Sequence, residues 1–131
     1  MQERLLQFIW QEKYFNTRSL ETVSGDAIVI IDAGTLNSQQ GPDFTNARIL
    51  LNGVLWAGNI EIHLKSSQWF QHKHSLDPNY KTVILHVVWE DDAPHLSRWL
   101  PTLVVANRVP SIMLQRFAEL MQQKNAIACH G

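Results

Sequence analysis

The chain has 131 residues, 11 Lys and Arg against 12 Asp and Glu, a formal net charge of -1, 45% apolar residues and one cysteine. A chain of this length buries about two-thirds of its unfolded surface, which sustains one globular domain without disulfides and excludes disordered and collagen-like readings. Cys129 alone excludes an intrachain disulfide and a cysteine-built zinc cage, and the near-zero charge argues against strong sequence-independent nucleic-acid binding.

Leu5, Leu6, Ile9 and Trp10 recur at helical spacing and predict an amphipathic helix over residues 2–14. Ala27 to Ile31 is a β-branched block between Ser24-Gly25-Asp26 and Asp32-Ala33-Gly34, expected to be a strand buried on both faces, followed by a polar loop from Thr35 to Pro42. Asn52-Gly53 supplies the two positive φ angles of a type I′ turn and predicts a tight hairpin between 47–51 and 54–64. On the second strand Val54, Trp56, Gly58, Ile60, Ile62 and Leu64 alternate with Asn59, Glu61, His63 and Lys65, so one face is expected to be core and the other to carry chemistry. Ser66 is placed to cap a short helix through Trp69 and Phe70. Asp77-Pro78-Asn79 marks a turn before a strand at 82–89, and the long connection permits parallel pairing with the hairpin. The acidic loop Glu90 to Pro94, a strand at 102–106 and a helix opened by Pro110, with Met113, Phe117, Leu120 and Met121 as its stripe, complete the order.

The fold class expected is α+β (α/β), a mixed central sheet with a β-hairpin and flanking helices. Residues 1–131 read as a single domain, and the small apolar segment from Ala126 to Gly131 suggests the N-terminal part of a longer protein. No signal-peptide pattern opens the chain, and its apolar runs fall far short of the roughly 18 residues of a membrane span. A cytoplasmic protein with no membrane partner is expected; the oligomeric state is left open.

Three features converge on the middle of the chain: Asp43, held by Gly41-Pro42; Glu61-Ile62-His63 on the second hairpin strand; and four of the six histidines, His63, His72, His74 and His86, within residues 63–86. Two carboxylates brought together across a hairpin suit a hard cation such as Mg²⁺ or Mn²⁺, which activates water and stabilises a phosphoryl transition state. Pro42-Asp43 followed by Glu61-x-His63, with a helix and a strand after it, resembles the PD-(D/E)XK nuclease arrangement, with His63 where that superfamily usually has lysine. The resemblance implies a restriction-endonuclease-like αβββαβ core, in which Asp43, Glu61 and the Ile62 carbonyl hold the metal and His63 positions or deprotonates water. Lys65, His72, Lys73 and His74 are the candidate substrate contacts, and residues 44–81 are net positive, which suits a nucleic-acid partner.

A longer resemblance runs through Gly41-Pro42-Asp43-Phe44, then 56–63 (Trp-Ala-Gly-Asn-Ile-Glu-Ile-His), Ser66-Ser67-Gln68-Trp69, His72-Lys73-His74 and 84–88 (Ile-Leu-His-Val-Val). This block is similar to the bacterial domain-of-unknown-function family 2851. Gln68 stands where that family more often has Asp, and its members look longer than this chain.

The same residues also admit plainer readings. Asp43 fits a turn cap, Glu61 and His63 a solvent-facing pair, His86 a buried histidine satisfied by one hydrogen bond, and Trp69 and Phe70 a packed helix face. His72 and His74 fit a solvated loop, as does Glu90-Asp91-Asp92. The functional expectation is a metal-dependent, nuclease-like phosphodiesterase; the alternatives are a non-catalytic interaction module on the same scaffold and a zinc hydrolase using Zn²⁺ at His63, His72 and His74.

Overall fold

The computed structural model describes residues 1–71 and 80–130. Helix α1 (Glu3–Glu12) buries Leu5, Leu6, Ile9 and Trp10, the stripe expected from their spacing. Trp10 anchors it twice. Its indole N–H donates to the Ala33 carbonyl at 3.0 Å, and its ring stacks on Phe15 with centroids 6.0 Å apart.

The remaining elements are strands β1 (Ile28–Asp32), β2 (Thr35–Leu36), β3 (Phe44–Leu51) and β4 (Val54–Lys65), helix α2 (Gln68–Gln71), strands β5 (Val83–Glu90) and β6 (Thr102–Val104), and helix α3 (Ser111–His130). The sheet runs β1-β3-β4-β5-β6, with β2 also paired to β3. β1, β2, β3 and β4 pair antiparallel, whereas β4–β5 and β5–β6 are parallel, so the mixed α+β reading holds. Short 3₁₀ segments at Pro94–Arg98 and Ala106–Arg108 bracket β6. No helix among the described residues is long and apolar enough to cross a membrane.

The hairpin turn forms as its dipeptide dictates, with φ of 50° at Asn52 and 81° at Gly53. The Asn52 side chain also accepts from the Ala27 N–H and donates to Asp26, tying the turn to the start of β1.

Several local expectations are corrected. β1 is an edge strand with only β3 beside it, and Val29 and Ile31 are 54% and 49% exposed instead of buried on both faces. The polar loop before Pro42 contains β2. Along β4 the division is by length and not by face: Val54, Leu55 and Trp56 project at the exposed hairpin end, whereas Ile60, Glu61, Ile62 and His63 are all buried. Helices α1 and α2 pack on this strand and β5 lies along the edge of its second half, where neither face reaches water. Leu120 points out of α3 at 60% exposure, and Leu114 joins Met113, Phe117 and Met121 against the core in its place.

Ser66 does not cap α2 with its side chain. Its buried hydroxyl donates to Asp91 at 2.7 Å and accepts from the Ala93 N–H at 2.9 Å, while Asp92 takes the Ser67 N–H and hydroxyl. These bonds hold Asp92 below the usual carboxylate range. Thus the acidic run, expected to be a solvated loop, laces the end of β5 to the end of β4. A second small core of Trp69, Leu96 and Leu100 sits beside this lacing.

Gly58 lies on β4 close against Ile84 of β5 and the Thr82 carbonyl just before it. A methyl group there would stand 2.5 Å from Ile84 Cγ2 and 2.6 Å from the Thr82 carbonyl oxygen. Gly58→Ala is expected to force the two parallel strands apart and destabilise the chain by about 1–3 kcal/mol, read from urea unfolding; an unchanged midpoint would refute the close approach.

Candidate functional site

The site begins where the β3–β4 ladder ends. The register pairing Phe44 with Ile60 places Ile62 opposite Pro42. Proline has no N–H to give to the Ile62 carbonyl, and the Pro42 carbonyl accepts from the Asn37 side-chain amide at 2.9 Å instead. The Asp43 side chain replaces the missing ladder partner, accepting the Ile62 N–H at Oδ2 at 2.7 Å. Its other oxygen, Oδ1, accepts from the Gln7 amide on α1 at 2.8 Å. In a regular strand the N–H and C=O of one residue point to the same edge, so the Ile62 carbonyl faces this same opening.

Glu61 is 3% exposed and its carboxyl hydrogen-bonds Asp43. Burial first, and then the Asp43 carboxyl beside it, push the Glu61 pKa up to about 10, so Glu61 keeps its proton at neutral pH and donates it to Asp43. Glu3, one turn before Gln7 on α1, is raised as well, by burial and by Asp43. The expected pair therefore meets, and α1 adds Glu3 and Gln7, neither of which was among the expected site residues. Their spacing of four is the signal that was available.

His63 lies on the same face of β4 as Glu61. It is 1% exposed, and its Nδ1 sits 2.7 Å from Nε2 of His86 on β5, one ring donating and the other accepting. The rings meet edge to face, and Trp69 packs 5.2 Å from His86. His86 thus joins the polar face beside Glu61, with which it is paired in register. Lys65 is exposed at the end of the strand, 3.9 Å from Glu90. Its backbone N–H is accepted by the Gln68 side chain at 2.8 Å. His72, Lys73 and His74 lie outside the described residues, and with them two of the three ligands of the zinc alternative.

Among the described residues no three side chains of His, Cys, Asp or Glu gather so as to hold a metal ion by themselves. A cation at this opening would have Asp43, Glu61 and the Ile62 carbonyl as protein ligands. Two carboxylates with the remaining positions left to water is the usual manner of Mg²⁺ and a poor match to zinc.

Glu61 is ionised in the unfolded chain above its ordinary value of 4.5 but stays protonated in the folded chain up to about 10. The folded state holds the extra proton across that window, so stability falls as pH rises through it, by at most about 1.4 kcal/mol per pH unit. Glu61→Gln, which preserves a donor to Asp43, is expected to flatten this dependence and to gain stability over the parent most at alkaline pH. Urea unfolding at about pH 5, 7 and 9 checks it, and parallel pH profiles for the two proteins would refute it.

No curated protein and no solved structure matches the chain. Residues 3–131 match the family described as protein of unknown function, DUF2851. The match takes in α1 with Glu3 and Gln7, the Asp43 turn, β4 and the His86 strand, and the chain belongs to the DUF2851 family.

Proposed function

We propose that the chain carries a divalent-cation-dependent phosphodiesterase site of the restriction-endonuclease-like type, acting on nucleic acid. The observation that supports this reading is the meeting of Asp43 and Glu61 at the open end of the β3–β4 ladder, beside the Ile62 carbonyl. Two buried carboxyls sharing a proton are poised to exchange it for a cation, because a bound positive charge offsets both the burial and the neighbouring Asp43 carboxyl that raise Glu61. When bound there, Mg²⁺ or Mn²⁺ supplies an activated water and charge stabilisation at phosphorus.

The chain's own residues have separable tasks in this reading. Asp43 is aimed by two donors, Gln7 and the Ile62 N–H, so its oxygens cannot swing away when Glu61 releases its proton. Glu61 delivers one proton to solvent and becomes a ligand. His63 stands two residues farther along the same face, with its Nδ1 bonded to His86, and this bond fixes the ring orientation. His63 is then the candidate acceptor of a water proton, with His86 holding its ring in place. The mixed sheet, with an antiparallel hairpin followed by a short helix and a parallel strand around these residues, is the scaffold on which this reading rests.

The burial of His63 and His86 favours a second reading, a non-catalytic module in which the same network only fixes the sheet. Calorimetric titration of Mn²⁺ separates the two without a guess about substrate. The parent is expected to bind one ion and release close to one proton, seen as a dependence of the heat on buffer ionisation. Glu61→Gln and Asp43→Asn are expected to weaken binding by at least about tenfold while keeping cooperative melting curves. Equal titrations of the parent and both folded variants, or no binding by the parent, would leave the non-catalytic reading.

A further inference from the structure

A groove of about 390 Å³ lies between α1, β2 and α3, within the roughly 300–1,000 Å³ range of small-ligand sites. Arg4, Phe8 and Gln11 follow one another at helical spacing along its α1 wall, and Phe117 and Leu120 form the α3 wall. Gln7 belongs to both places: it lines the groove and donates through its amide to Asp43. The groove and the candidate site therefore share one side chain.

Its chemistry is specific. Phe8 is 37% exposed and is held edge-on to Phe117, with centroids 5.8 Å apart. Tyr14 stacks on Phe117 at 5.4 Å, so the aromatic surface is braced from behind. A π-face, two carboxamides able both to donate and to accept, and one guanidinium match an unstacked base with its phosphate. A purely apolar ligand would leave Arg4 and Gln11 without a task, and a duplex presents no base face to Phe8.

We propose that this groove binds one unstacked nucleotide of a single-stranded nucleic acid, the base on Phe8, its edge at Gln11 and its phosphate at Arg4, leading the strand past Gln7 to Asp43 and Glu61. This substrate assignment rests on the phosphodiesterase reading and narrows it to single strands. An exposed face of α1 thereby becomes the entrance to the site, and Gln7 couples occupancy of the groove to the orientation of Asp43.

The test is fluorescence anisotropy of the full chain with a labelled oligothymidylate of about a dozen nucleotides, in EDTA, so that binding is read without any cation. Gln11→Glu and Arg4→Gln alter groove chemistry without touching the core, and each is expected to weaken binding about fivefold to tenfold. Phe8→Leu keeps the packing against Phe117 and is expected to lose a similar amount, whereas Arg98→Gln, outside the groove, leaves affinity unchanged. A self-complementary duplex of equal length is expected to bind more weakly than the single strand. No binding by the parent, equal affinity in all four variants, or preference for the duplex would overturn the assignment. Those results would not touch the Mn²⁺ titration, and a failed Mn²⁺ titration with groove-dependent oligonucleotide binding would overturn the phosphodiesterase reading alone.

Discussion

The Asp43 side chain stands at the junction on which the rest of the site depends. A proline one residue earlier ends the antiparallel ladder between β3 and β4, and a carboxyl takes over the role of a backbone acceptor. From that position it reaches α1 through Gln7, β4 through Ile62 and the buried Glu61. A hydrogen bond to a carboxylate is worth about 1.5–3 kcal/mol, more than a neutral ladder bond, so the substitution need not weaken the sheet. It does concentrate negative charge where the polar face of β4 is otherwise sealed.

The parallel half of the sheet supplies the second constraint. β5 lies beside β4 with Glu61 opposite His86 and His63 opposite Val88, bringing two histidines from distant stretches into one buried pair. Such pairs remain in a core only when each ring has a partner, because a lone buried imidazole loses its solvation without compensation. Gly58 allows the two strands to close, and the bonds of Ser66 and Ser67 to Asp91, Asp92 and Ala93 lock their far ends. The geometry of the polar face is thus held at both ends of the β4–β5 pair.

At the opposite end of the hairpin, Val54, Leu55 and Trp56 are each at least half exposed, and Val29 and Ile31 continue apolar surface onto the edge strand. The same sheet therefore has a wet, apolar end and a dry, polar end. This inverts the usual distribution, and it goes with the pairing of β4 to β5, which starts only at Asn59, and with the packing of α1 and α2 on the strand.

Local sequence determined a good deal. The helical stripe of α1, the Asn52-Gly53 turn with its positive φ angles, the existence of β3, β4 and β5, and the order of Asp43, Glu61 and His63 around one hairpin were all legible, because each follows from periodicity or turn stereochemistry within a few residues. Tertiary structure decided what those residues meet. Alternation along β4 could not tell that both faces are buried beyond Gly58, since burial depends on which elements cover a strand and not on its own pattern. The partnership of His63 with His86 required the parallel register, the tie from Gln7 to Asp43 required the docking angle of α1, and the lacing role of Ser66 required the ends of β4 and β5 side by side. Side chains separated by 23 to 36 positions are joined by packing, and a pattern confined to a few neighbours carries no record of it.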